Sequence, residues 1–300
     1  MTPIADDLVQ PFQIESSVLR GRLVRLGPLI DTILTRHDYP EAVALILGEA
    51  IALAVLLAGA LKYEGIFTLQ TKGNGPIGLV VADVTSAGAV RGYAQFDAEM
   101  LAQRLAKGGE GAMLSVPRLL GAGYLAFTVD QGEHTERYQG IVELDGTSLA
   151  ECAHHYFRQS EQIRAGIKLA IGRDAEGKWR AGGMMLQRLP GDESEEDDEG
   201  WRRAIVFLGS ATSAELLDRA IAPNDLLFRL FHDDGVRSYP PHALAAKCRC
   251  SRERLEGVLG GMPAEDLIDM AQDGVLHLTC EFCNATYDFG LAAIMALQSG

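Results

Sequence analysis

Four cysteines near the C-terminal end carry the clearest chemistry in the sequence. Cys248-Arg249-Cys250 is followed by 29 residues and then by Cys280-Glu281-Phe282-Cys283. A tetrahedral metal ion needs four donors, held about 2.3 Å away when they are thiolate sulfurs, and two close pairs brought in on two loops meet that need. The C-x-x-C pair suits a turn that aims both sulfurs at one point. Val275 to Thr279 and Ala285 to Phe289 read as strands flanking it, which makes a zinc-knuckle hairpin. Asn284 tolerates the left-handed conformation that such turns often need. Cys248, Cys250, Cys280 and Cys283 are therefore the expected ligands of one zinc per reduced chain. The C-x-C pair adds a second property. A disulfide between Cys248 and Cys250 would close a strained small ring, and strained disulfides are the labile, regulatory ones.

Other polar groups compete less well for chemistry. A thioredoxin-type site would open a helix at its C-x-x-C, whereas both flanks here are strand-like. His232, His242 and His277 lie nearby in sequence, but four cysteines already close a tetrahedron. Cys152 belongs to a helix capped by Ser148, with Leu149, Cys152, Ala153, Tyr156 and Phe157 at helical spacing. That face is apolar, so Cys152 reads as a buried structural thiol. His154 and His155 are adjacent, point in different directions and read as solvated surface. Gly73-Asn74-Gly75-Pro76-Ile77-Gly78 fits G-x-G-x-x-G, with Asp97 downstream, and supplies the alternative reading of a nucleotide-binding enzyme with a structural zinc site. That motif must open a helix facing a pyrophosphate. Here a strand pattern, Leu79 to Val84, follows instead. A strand-to-strand turn is expected, with no catalytic residues and no enzyme activity.

Composition narrows the class further. The chain has 300 residues, 47% of them hydrophobic, and a formal charge of −14. Such a surface repels phosphate backbones. The last unit is itself acidic, with Lys247, Arg249, Arg252 and Arg254 as its basic residues, so no nucleic-acid partner is expected. Five cysteines, four of them between 248 and 283, suit a metal site in a reducing compartment better than a secreted disulfide framework. Met1 to Asp7 has neither a basic nor an apolar leader pattern, so a cytoplasmic location is expected. Residues 42 to 61 carry Glu49 as their one charge and approach the length of a membrane span. They lack basic flanks, and Asp38 and Glu41 can make a capping box around Pro40. A buried core helix is expected, not a membrane segment.

These elements place the cysteines within an α+β chain of three parts. Residues 1–190 form a core domain with a mixed or antiparallel sheet and helices. Its strands are expected near Phe67–Leu69, Leu79–Val84, Arg91–Phe96, Tyr124–Val129 and Tyr138–Leu144, with a hairpin of Ile167–Ile171 and Trp179–Leu186 turned by Asp174 to Gly177. Residues 191–238 are an acidic loop and helical linker. The run 192–199 holds seven acidic residues and is expected to be a flexible loop. Beyond it, Ser213 caps a helix bearing Leu216, Leu217, Ala220 and Ile221, which Pro223 stops. Asn224 caps another bearing Leu226, Leu227, Leu230 and Phe231. Both are too short to stand alone and must dock on something. Residues 239–300, after the stiff Tyr239-Pro240-Pro241, form the small C-terminal zinc domain with its four cysteine ligands. Ser251 and Pro263 open its two helices.

The whole chain resembles the 33 kDa chaperonin family, the redox-regulated heat-shock holdases of bacteria. Cys248-Arg249-Cys250-Ser251-Arg252-Glu253-Arg254 and Cys280-Glu281-Phe282-Cys283-Asn284-Ala285-Thr286-Tyr287 are similar to its two zinc motifs. Lys72-Gly73-Asn74-Gly75-Pro76, Arg91-Gly92-Tyr93, Tyr138-Gln139-Gly140, Ser160-Glu161-Gln162 and Ala181-Gly182-Gly183-Met184-Met185-Leu186-Gln187 add weaker likenesses. The resemblance implies a reduced, zinc-bound form with little chaperone activity. Oxidation would form Cys248–Cys250 and Cys280–Cys283, release zinc, and unfold the zinc domain and linker, so that apolar surface meets unfolding clients. It also implies work without ATP, homodimerisation when oxidised, and hand-over of clients to ATP-driven chaperones. Elementary energetics agrees: zinc contributes on the order of 10–16 kcal/mol to such units, and about sixty residues hold little core to replace it.

Overall fold

In the first part of this chain, strands whose side chains alternate between two faces form two sheets, stacked on both sides of one helix. The computed structural model describes residues 6–16, 19–61, 64–107, 115–132, 138–158, 164–188 and 195–297. It divides into two compact units, Met1–Ala246 and Lys247–Gly300. The first holds β1 (Leu8–Ile14), β2 (Leu19–Leu26), α1 (Pro28–Leu34), α2 (Glu41–Ala58), β3 (Ile66–Gly73), β4 (Ile77–Thr85), β5 (Ala89–Phe96), α3 (Ala98–Ala106), α4 (Val116–Leu119), β6 (Gly123–Asp130) and β7 (Tyr138–Glu143). It continues with α5 (Leu149–Tyr156), β8 (Ala165–Arg173), β9 (Trp179–Arg188), α6 (Glu195–Ser210), α7 (Ser213–Leu217), α8 (Pro223–Phe231), β10 (Val236–Ser238), β11 (His242–Ala243) and β12 (Ala245–Ala246). The second holds α9 (Arg252–Gly260), α10 (Ala264–Met270), β13 (Val275–Thr279), β14 (Thr286–Gly290) and α11 (Leu291–Leu297).

The first sheet runs β10-β1-β2-β9-β8, with β11 also on β1; the second runs β12-β5-β4-β3-β6-β7. All pairings are antiparallel except β12 with β5. The α+β class with antiparallel and mixed sheets is therefore the observed one. The expected strands of the second sheet and the β8–β9 hairpin are all present. The apolar run 42–61 becomes α2, which packs on β3, β4 and β5 on one side and on β2, β8 and β9 on the other. It has a mean hydropathy of 2.2 and the length of a membrane span, yet 83% of it is buried inside the protein. The expected capping box is absent. Pro40 takes the cap position and its carbonyl accepts from Val43 and Ala44 at 2.8 and 3.0 Å, while Asp38 is left-handed at φ 47 and no side chain caps the helix.

The outer face of the first sheet is roofed by α6, α7 and α8. Phe12, Ile14, Leu19, Leu23, Met184 and Leu186 meet Leu208, Leu216, Leu226, Leu227 and Phe231 in a second apolar core. Phe12 stacks on Phe231 at 5.8 Å. Gly21 makes room for it, since a Cβ there would lie 2.0 Å from the Phe12 ring. The linker helices thus bury their stripes on the sheet, as helices this short require.

Several local expectations change in this region. The run expected as a flexible loop is helical from Glu195, while residues 191–194 lie outside those described, as do Ser160-Glu161-Gln162. Asp198 explains the helical part: its carboxylate accepts from Arg164 at 2.7 Å and from Arg188, so charge repulsion is offset by two cations at the open end of the β8–β9 hairpin. The Arg188 hydrogen bond, then that of Arg164, holds the Asp198 carboxyl below its ordinary value. Thr212, not Ser213, caps α7, in a capping box with Glu215, and Ala220 and Ile221 lie beyond its end. Pro223 opens α8 instead of stopping a helix, because proline at the first helical position loses no hydrogen bond. Residues 239–246, assigned by sequence to the last part, pair with β1 and β5, and the units divide after Ala246.

In the second unit, β13 and β14 form a hairpin over a core of Leu259, Leu267, Leu276, Phe289 and Ile294. Ser251 caps α9 by accepting from the Arg254 amide at 3.2 Å. Pro263 occupies the cap position of α10.

Candidate metal centre

The hairpin end is shaped by hydrogen bonds that leave its sulfurs pointing together. The Cys280 amide donates to the Ala285 carbonyl at 2.9 Å, and the Asn284 amide to the Cys280 carbonyl at 2.8 Å. Asn284 is left-handed at φ 59, as the sequence suggests. The other pair enters just before α9. Arg252, two residues past Cys250, donates to the Asp288 carbonyl at 2.6 and 3.0 Å and lies 4.5 Å over the Phe289 ring. That fastens the start of α9 to β14 and brings the C-x-C loop to the hairpin end.

The structure brings all four expected cysteines together. Their Sγ atoms lie within 4.8 Å of one another, and each residue is half-buried. Cys248 and Cys280 are 3.7 Å apart, Cys250 and Cys283 3.3 Å. Four sulfurs about 2.3 Å from a tetrahedral ion would be about 3.8 Å apart, so the donor set and its spacing fit zinc. Burial pushes the Cys283 thiol up to about 12, even against the Ala285 amide that favours its thiolate. Burial also raises Cys280, opposed by amides of Cys283 and Phe282. A bound dication would reverse this preference, because a coordinating thiol is deprotonated outright. The Tyr287 hydroxyl donates to Cys250 Sγ at 3.2 Å.

The remaining candidates fall elsewhere. Among the described residues, these four cysteines are the one His/Cys/Asp/Glu group that could hold a metal ion. His277 contacts Asp288 at 2.7 Å, and His232 contacts the Phe228 carbonyl at 3.1 Å. His242 sits in β11, exposed. Cys152 is fully buried in α5, with its thiol pushed up to about 12 by burial and then by the nearby carboxylates of Glu49, Glu151 and Asp145. Gly73 to Gly78 spans the β3–β4 turn, and no helix follows it. A Cβ at Gly75 would lie 2.5 Å from the Leu120 carbonyl carbon, so close backbone packing explains the glycine. The alternative nucleotide site therefore lacks the helix N-terminus that it needs.

Two polar features are absent from the sequence reading. Arg25 and Arg180, both nearly buried, grip the end of α7. Glu49, from α2, accepts from the Ala150 amide at 3.2 Å beside a cavity of about 430 Å³. The signal for Glu49 was present in sequence, as the lone charge in an apolar run. The signal for the arginines was not, since their partners are backbone carbonyls distant in sequence.

The Hsp33 protein family model matches residues 7–290, a span that contains all four grouped cysteines. The chain belongs to the Hsp33 family. The 33 kDa chaperonin of Caulobacter vibrioides is 42% identical over 292 residues, covering 95% of both chains. That of Pseudomonas fluorescens strain SBW25 is 37% identical over 306 residues, covering 100% of this chain and 96% of the relative. The crystal structure of the 33 kDa chaperonin (heat shock protein 33 homolog) from Thermotoga maritima matches with a TM-score of 0.81, at 25% identity over 98% of both chains. The Hsp33 likeness therefore covers both compact units, sheets and cysteine hairpin alike.

Proposed function

We propose that this chain is a redox-regulated, ATP-independent holdase chaperone of the cytoplasm, and not an enzyme. The observation that carries the reading is the group of four sulfurs within 4.8 Å of one another, in a unit whose buried core among the described residues is Leu259, Leu267, Leu276, Phe289 and Ile294. Membership of a family whose relatives are named chaperonins supplies the activity class.

Cys248, Cys250, Cys280 and Cys283 would hold one zinc in the reduced chain. The bound ion would keep the sulfurs deprotonated and supply on the order of 10–16 kcal/mol of folding energy. Pairing Cys248 with Cys250 and Cys280 with Cys283 as disulfides gives two electrons per bond to an oxidant such as a peroxide, which is reduced to water. No thiolate then remains to hold the ion, and a core this small does not hold the unit folded.

The first unit contains what the switch would release. The segment from β10 to β12 leads from α8 directly into Cys248. Loosening it frees one edge of β1 and weakens the seat of α6, α7 and α8. Phe12, Leu19, Leu23, Met184 and Leu186 would then face solvent together with the linker stripes, and apolar patches of that size bind unfolded chains. The partners are unfolding client proteins, ATP-driven chaperones that receive them, and a second copy of the oxidised chain. The net charge of −14 keeps such complexes soluble and disfavours nucleic acid. A membrane partner is not part of the reading. The test is co-elution: the oxidised chain should carry a denatured client through size exclusion without ATP, and the reduced chain should not. Equal carriage by both forms removes the redox element, and carriage by neither removes the chaperone.

A further inference from the structure

The four sulfurs do not have equivalent surroundings. The amides of Phe282 and Cys283 point at Cys280, and that of Ala285 at Cys283. These are backbone donors of the hairpin turn itself. Cys250 lies on the other loop, and its donor is a side chain: the Tyr287 hydroxyl, 3.2 Å from Sγ. Tyr287 stands on β14, paired with Leu278 of β13, and its ring is half-buried against the small core. The phenol therefore ties the C-x-C loop to the hairpin across 37 residues of sequence, through one removable atom.

We infer that Tyr287 is a positioning residue of the switch, whose hydroxyl holds Cys250 at the metal centre and lowers the nucleophilicity of its sulfur. A hydrogen bond to a thiolate draws charge from the sulfur, so the sulfur attacks electrophiles more slowly. It also fixes the direction of the lone pair offered to an ion. Donors of this kind around a metal ligand typically matter by about 10- to 100-fold in affinity. Loss of this one bond should act on Cys250 before Cys280 and Cys283, because those two sulfurs keep their backbone amides.

The inference rests on the zinc reading, and the experiment separates the two. Tyr287→Phe removes the oxygen and keeps the ring. Full-length wild-type and variant chains are loaded with zinc and treated with iodoacetamide, whose iodide is displaced as the carbon–sulfur bond forms. Alkylation is then followed at each cysteine by peptide mass. Zinc affinity is measured by competition with a chelator. The cobalt-loaded forms are compared by absorption, which reports tetrahedral geometry and the sulfur-to-metal bands. Expected are a roughly 10-fold or greater loss of zinc affinity and a rise in the Cys250 to Cys280 alkylation ratio of about 10-fold. A shift in the sulfur-to-cobalt band with the tetrahedral bands intact should accompany them. An unchanged ratio, or equal acceleration at all four cysteines, overturns the inference and leaves the zinc reading standing. Failure of the wild-type chain to take up zinc or cobalt removes both.

Discussion

Arg25, on β2, donates from Nη2 to the backbone carbonyl of Glu215, on α7, at 3.1 Å. Its Nη1 reaches the Asp218 carbonyl, and Arg180 Nε on the neighbouring β9 reaches that of Leu217 at 2.8 Å. Asp6 holds Arg180 from behind at 2.8 Å. Gly182 lets the helix come this close, since a Cβ there would lie 2.4 Å from the Leu216 carbonyl oxygen. A five-residue helix has no stability of its own, and cations at its C-terminal carbonyls supply part of what it lacks.

Arg25→Met should therefore loosen the roof without harming the sheets. Charge-assisted hydrogen bonds of this kind are worth about 1.5–3 kcal/mol. Amides of α7 and α8 should exchange roughly 10- to 100-fold faster, while those of β3 to β6 stay slow. If the roof covers a client surface, the reduced variant should also protect a client that the reduced wild type does not. Unchanged exchange in α7 contradicts the clamp.

Glu49 gives a pH dependence with a definite sign. Burial lifts its carboxyl from 4.5 to about 7, despite the Ala150 and Leu149 amides that favour the anion. The folded chain then holds a proton that the unfolded chain has lost between those values. Stability should fall as pH rises from about 4.5 to about 7, and the penalty is complete above that. Glu49→Gln should flatten the curve and stabilise the chain at pH 8 relative to pH 5 by on the order of 2 kcal/mol, less than full conversion because the site opens on a cavity. Denaturant midpoints at the two pH values measure it. A variant curve parallel to the wild type contradicts the assignment.

The two kinds of cysteine should separate cleanly. Cys152→Ala should keep the full metal content and cost on the order of 1 kcal/mol of stability. Cys280→Ser should lower zinc affinity by more than the roughly 10- to 100-fold typical of losing a supporting hydrogen bond. Metal loss in the Cys152 variant, counted by a zinc-sensitive dye, would place a ligand where the structure has a buried thiol.

What the sequence revealed depended on how local the deciding contact was. The cysteine pairs, the Ser148 and Ser251 caps and the Asn284 turn are set within a few residues, and all were legible. The alternation of Phe67 and Leu69 with Thr68 and Gln70 marked β3 for the same reason. β2 was missed because Arg20, Arg22 and Arg25 break its apolar pattern, and the burial of Arg25 makes sense only beside α7. The acidic run was misjudged because Arg164 and Arg188, which hold Asp198, belong to other elements. Pro223 could end one helix or begin the next, and only the docking of α8 decides. Likewise the cysteines announced themselves, whereas Arg252 on Asp288 and Tyr287 on Cys250 needed the folded chain.

Oxidation should also loosen the chain in a set order of regions. After peroxide treatment at raised temperature, amides of residues 201–238 and of the cysteine unit should exchange fast, while α2 and the second sheet stay protected. The reason is that the roof helices are short and the second unit, with its small core, would lean on the proposed zinc, whereas α2 is buried between two sheets. Uniform protection along the whole chain contradicts this order.

The central claim is that loss of the metal by thiol oxidation creates client-binding activity. Light scattering of a heat-unfolded client, with reduced zinc-loaded and oxidised zinc-free chains at equal concentration and no ATP, tests it most directly. The account predicts that the oxidised chain suppresses scattering, the reduced chain does not, and reduction in the presence of zinc restores the inactive state. Equal scattering with both forms, after confirmed zinc release and disulfide formation, would contradict it.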